Sequence, residues 1–281
     1  MNGQAADLRE MALAVLQTPD PRAKAAAARA VCRSLADGDR TWPSSWPAAG
    51  PAVNPARPER PQRVPPGKTP RRRLGSLEGR IALLHAIAHI EFNAIDLAFD
   101  MAVRFGADPA LDEAKRLDFL SDWIHVGDDE ARHFGLIADR LEALGSAYGE
   151  LPAHDGLWDA ARTTRHDLAA RLAIAPLVLE ARGLDVTPGM IDRLNSAGDT
   201  ISAGILKIIY TDEIGHVATG MRWFKHVCNI AGDAPEARYH SLVQQYYQGG
   251  LKPPFNTDAR DQACFPADYY LPLAATGAPL A

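Results

Sequence analysis

The stretches "DWIHVGDDEARHF" at residues 122–134 and "ILKIIYTDEIGHV" at 205–217 decide how this chain folds. Each carries Asp-Glu-x-x-His, as Asp129, Glu130 and His133 in the first and Asp212, Glu213 and His216 in the second. Residues three or four apart share one face of a helix, so each glutamate points the same way as its histidine. One Glu-x-x-His is weak evidence, because both residues are common on exposed helices. The face that carries the pair discriminates. Around the first pair the apolar stripe runs Leu117, Leu120, Trp123 or Ile124, Gly127, Phe134, Ile137 and Leu141, and Glu130 falls on it with His133 beside it. Around the second it runs Leu206, Ile209 or Tyr210, Val217 and Gly220, and Glu213 and His216 fall within it. Both pairs are therefore expected in a core. A carboxylate buried without a partner costs several kcal/mol or takes up a proton. Divalent cations remove that cost.

A two-metal site in a helix bundle needs one further carboxylate from each of two other helices. The first long helical run has the stripe Leu84, Ala88, Glu91, Ile95, Ala98 and Ala102, with Glu91 in its middle. The third has Leu172, Ala173, Pro176, Leu177, Glu180 and Gly183, with Glu180 after its most apolar stretch. The order is then Glu, Glu-x-x-His, Glu, Glu-x-x-His: six ligands for two ions. Carboxylates with one imidazole per ion suit iron best, or manganese. Zinc, usually four-coordinate, fits this ligand-rich set less well.

The rest of the chain narrows the classes. Its 281 residues suffice for a sizeable buried core, and a net charge of −5 argues against wholesale binding of nucleic acid or membranes. No uncharged apolar run reaches the roughly 18–20 residues that span a bilayer, and the start lacks a secretion signal. Cys32, Cys228 and Cys264 form no C-x-x-C pair, which fits a reducing compartment, so a cytoplasmic protein is expected.

The expected fold is all-α. Residues 1–40 read as a segment of short helices, broken at "TPDP" (18–21). Residues 41–75 form a basic arm whose stretch 42–70 holds nine prolines, with Arg57, Arg60, Arg63, Lys68, Arg71, Arg72 and Arg73 near its end. Such an arm wraps its own domain or touches phosphate. Residues 76–230 read as a four-helix bundle, and 231–281 as a further helix and an irregular tail packing on it. Within the bundle, Ser76 caps a helix that Gly106 stops. Asp108-Pro109 opens a second that Gly145 ends. A third runs from about Leu157 and either stops at Gly183 or continues, and a fourth covers about 200–228. His85 and His89, spaced i, i+4, could bind metal by themselves but read, like His125, as groups that cap, support the ligands or lie on the surface, and His226 and Cys228 read as packing.

The ligand order resembles the ferritin-like di-iron carboxylate superfamily, and "DEARH" resembles the signature of bacterial multicomponent monooxygenases. "HAIAHIEFNAIDLAFD", "DWIHVGDDEARHF", "APLVLEARGLDVTPG", "ILKIIYTDEIGHV" and "GGLKPPFN" together resemble one ferritin-like family, domain of unknown function 455. The resemblance implies a ferritin-like bundle and a metal centre. It also implies that Asp129 and Asp212 each receive a hydrogen bond from a ligand histidine. Arg132 offers a charge partner to one of these acids, and Gly215 stands where a second arginine would. Tyr210, one turn before Glu213, offers a hydroxyl to the core. The expected function is an oxygen-activating oxidase or hydroxylase, with a small molecule or a modified RNA as substrate and an external electron donor. The alternatives are a peroxide- or oxygen-detoxifying protein of rubrerythrin or manganese-catalase type and a non-catalytic, metal-stapled scaffold. Iron storage fits poorly with the arm and tail.

Overall fold

The computed structural model describes residues 8–36, 54–65, 67–70, 73–248 and 250–274. Residues 1–7 and 37–40 of the expected N-terminal segment, 41–53, Pro66, Arg71 and Arg72 of the basic arm, and Gly249 and residues 275–281 of the tail lie outside the described residues. The fold is all-α, and among the described residues there is no strand, only two isolated backbone bridges, Arg63 with Ala153 and Leu251 with Ala274. The chain forms two compact units, Met1–Trp158 and Asp159–Ala281.

The first unit is built on two long helices. α1 (Leu8–Gln17) and α2 (Pro21–Ala36) precede them, and α3 (Leu77–Phe105) and α4 (Glu113–Ala143) pack on each other, α3 also against α1 and α4 against α2. Ser76 caps α3 as its hydroxyl accepts from the Gly79 amide. α4 does not begin at Asp108-Pro109. The Asp108 side chain closes a turn with the Ala110 amide at 2.9 Å, and Asp112 takes the cap by accepting from Lys115. Leu117, placed on the buried stripe by its spacing, is 37% exposed. Gly127 holds its stripe position for a steric reason: a Cβ there would stand 2.6 Å from the Phe99 ring.

α3 is long and apolar enough to cross a bilayer, yet 23 of its 29 residues are buried and Glu91, Asp96, Asp100 and Arg104 are among them. It is a core helix with charges inside. Lys24 and Arg57 both pair with Asp96, Arg57 at 2.9 Å, and both lie over the Phe92 ring. Arg57 is thus the arm's inward anchor. The arm is further tied to its own unit by Ala56 N–H to Leu16 O (2.7 Å), Val64 N–H to Ala153 O (2.8 Å) and the Arg63–Asp155 ion pair (3.1 Å).

The short helix α5 (Gly156–Thr163) spans the boundary. The second unit then holds α6 (Leu168–Ile174), a π-helical stretch (Ala175–Glu180), α7 (Ala181–Ser196), α8 (Thr200–Ala231), α9 (Pro235–Tyr246), α10 (Thr257–Gln262) and α11 (Ala267–Tyr270). The third run expected from about Leu157 is therefore broken after Thr163, restarts at Leu168 and does not stop at Gly183. It widens at Pro176, which has no N–H for the Leu172 carbonyl. The Ala181 amide reaches back five residues to Pro176 O, the signature of a π-turn. α8 approaches this turn so closely that a Cβ at Gly220 would lie 2.5 Å from the Pro176 side chain.

Candidate metal centre

Each unit carries one half of the expected ligand set. In the first, α3 supplies Glu91 and α4 supplies Glu130 and His133, and the three offer ligand atoms within 4.8 Å of one another. All three are buried, at 3%, 1% and 0% exposure. His133 Nδ1 stands 3.4 Å from Glu91 Oε2 and 3.5 Å from Glu130 Oε2. Burial, and then repulsion from Glu130, push the Glu91 carboxyl well above the usual carboxylate range. Burial disfavours the His133 cation, but hydrogen bonding and attraction from Glu130 and Glu91 outweigh it and raise the imidazole to about 11. A cation placed there would relieve the same strain.

In the second unit, α8 supplies Glu213 and His216, with His216 Nδ1 3.6 Å from Glu213 Oε2. The same imidazole nitrogen faces the carboxylate in both units. His216 is buried and Glu213 half-buried. Glu180 is the last residue of the π-turn and half-buried, so the widened turn decides where its carboxylate stands.

The residues around the ligands differ between the units. Arg132 Nη2 donates to Asp129 Oδ1 at 3.0 Å. Asp212 is half-buried on α8, one residue before Glu213. The Tyr210 hydroxyl accepts from Asn256 Nδ2 at 2.9 Å, a partner 46 residues away.

Two features near the first half-set are not legible in the helical stripes. Phe92 and Phe134 each follow an expected ligand in sequence, and their rings, 5.9 Å apart, close on Tyr148 at 5.6 and 5.3 Å. The dipeptides Glu91-Phe92 and His133-Phe134 are the one available signal. His85 and His89 are engaged by the loop after α4. His85 Nε2 accepts from the Gly149 and Leu151 amides, and His89 Nδ1 bonds the Tyr148 hydroxyl at 2.9 Å. Together they fix the loop after α4 onto α3.

The family model described as "Protein of unknown function (DUF455)" matches residues 17–271. The chain belongs to this family. A relative named "Uncharacterized protein" in Haemophilus influenzae is 43% identical over 208 residues, covering 74% of this chain and 72% of that protein. No solved structure matches significantly. What the DUF455 chain does must therefore be argued from its own side chains.

Proposed function

We propose that this DUF455 protein is a ferritin-like di-metal carboxylate protein that takes up iron and activates oxygen, as an oxidase or hydroxylase. Glu91, Glu130 and His133 supply one half of the ligands and Glu180, Glu213 and His216 the other. The observation that carries the reading is the convergence of Glu91, Glu130 and His133 in a buried site where the Glu130 charge raises the proton affinity of Glu91. A structural polar core has no need of two carboxyl groups crowded together there. A cation set between hard oxygens and one imidazole gives both a role.

Bound iron would supply the electrons and the open coordination that reaction with dioxygen requires. The chain's own residues do the rest. Both histidines present Nδ1 to the carboxylates, so the ring orientation is set before any ion enters. Arg132 holds Asp129 in place. Glu91, Glu130 and His133 are themselves buried, so bulk water is kept from the first half-set. The thiols form no disulfide among themselves. Cys32 and Cys228 are both raised to about 11, mainly by burial, and the three cysteines are free. Reducing equivalents are accordingly assigned to a separate donor.

Metal analysis of the purified protein, followed by optical spectra of the iron-loaded form with dioxygen and with peroxide, tests this. About two irons per chain with a reduced state that oxygen oxidises is the expected result. A folded protein that takes up no metal overturns it.

A further inference from the structure

The tail motif "GGLKPPFN" ends in Asn256, and every polar group of that residue is used within the second unit. Its Oδ1 accepts from the Ala259 amide at 3.2 Å and so caps α10. Its carbonyl accepts from the Arg260 amide at 3.0 Å, and its own amide donates to Asp185 Oδ1 at 2.9 Å. Its Nδ2 donates twice, to Leu184 O at 3.1 Å and to the Tyr210 hydroxyl at 2.9 Å. The first of these has a local cause. Leu184 lies four residues before Pro188, which brings no N–H, so the carbonyl is left for another donor.

The neighbouring tail residues grip the same turn. Arg182 Nη1 donates to Lys252 O (2.6 Å) and Pro254 O (3.1 Å). Arg260, 2% exposed, forks onto Asp185 at 2.9 and 2.7 Å and reaches Ala181 O at 3.3 Å, with its guanidinium 4.4 Å over the Tyr270 ring. Residues 181–185, which leave the π-turn directly after Glu180, are thus held from the tail. Tyr210 stands three residues before Glu213, on the same helix face.

We infer that Asn256 is a positioning residue that bridges α7 to α8 and thereby sets Glu180 against Glu213, tuning how tightly that half-set holds a metal ion. The inference rests on the metal reading above. Ligand carboxylates held only by a helix pair tolerate small slips. A carboxamide bonded to both helices within about one turn of each ligand removes that freedom.

Two full-length variants isolate the bridge. Asn256→Ser keeps a good cap for α10 but is too short to reach Leu184 or Tyr210. Tyr210→Phe removes one end and leaves Asn256 in place. Hydrogen exchange of the metal-free proteins is expected to quicken roughly tenfold at residues 181–188 and 209–216, with α3 and α4 unchanged. Titration with Co(II) is expected to show roughly tenfold weaker binding of one of two ions in both variants, with an altered ligand-field spectrum. Their combination should be no worse than Asn256→Ser alone. Unchanged exchange and unchanged Co(II) affinity in Asn256→Ser overturn the inference. A wild-type protein that takes up no Co(II) overturns the metal reading instead, and the tuning role with it, while exchange still reports on the bridge.

Discussion

The Gly149 amide donates to His85 Nε2 across 2.9 Å, so the loop after α4 depends on an imidazole that stays neutral. Burial lowers His85 to about 4, and burial with the nearby Arg57 charge lowers His89 to about 4. The unfolded chain protonates these rings near 6.5, before the folded one does. Their contribution is therefore present above pH 6.5 and lost as pH falls towards 4, on the order of 2–3 kcal/mol per imidazole. Asp96, raised to about 6 mainly by burial, works in the opposite sense over the same range. The comparison with His85→Gln, whose side-chain oxygen accepts the same amides without titrating, separates the two. Thermal melts of the variant should lose less stability between about pH 6.5 and 4.5 than wild type. Equal losses would refute the role of His85.

Metal uptake should be proton-coupled. Glu91 and His133 hold their protons more tightly than usual in the metal-free site, so an ion must displace them. Affinity for Mn(II) or Fe(II) should rise steadily from about pH 6 to 8, and binding should release protons measurable by calorimetry in buffers of different ionisation enthalpy. Glu130→Ala and Glu213→Ala should each fall short of the full two-ion load. If either kept two ions at wild-type affinity, the ligand assignment would be wrong.

Lys24 and Asp96 form a pair with both side chains fully buried. Removing the lysine leaves a buried carboxylate beside Arg57. Lys24→Met should cost about 3 kcal/mol in chemical denaturation, and adding Asp96→Asn should restore part of it. A cost below about 0.5 kcal/mol would mean the pair is held too loosely to matter.

Two glycines of α8 should respond in opposite directions. Gly220→Ala forces a Cβ against the rigid Pro176 ring at 2.5 Å and should destabilise by about 1–3 kcal/mol. Gly215 has open space around its Cβ position, and Gly215→Ala should stabilise the helix by about 0.5–1 kcal/mol. Thermal melts that moved the same way in both would contradict this packing.

What can be read from the sequence is what obeys helical periodicity. The stripe through Leu84, Ala88, Ile95 and Ala102 puts Glu91 on a buried face, and Ser76 and Gly106 mark the ends of α3, because caps and stripes are local patterns. The π-turn is hidden because "APLVLE" is apolar at every position before Glu180, so no gap in a stripe betrays the extra residue. Gly183 resembles a helix stop only if nothing beyond it packs, and Leu184 and Leu194 are buried. Lys24 and Arg57 look like surface cations until Asp96, 72 residues from Lys24, is brought beside them. Tyr210 reads as a core hydroxyl, but its partner comes from the tail motif, which no local pattern links to α8.

The widened turn at Ala175–Glu180 has a consequence for how this chain can change over time. An α-helix advances about 100° per residue, so one residue more or less rotates everything beyond it by that angle. The turn stores one such step inside a continuous rod. Deleting a single residue there would let the rod revert towards α geometry, so the turn takes up the loss and α7 keeps its phase with α6. The turn is thus a local buffer, where one residue is accommodated without rotating the helix that follows.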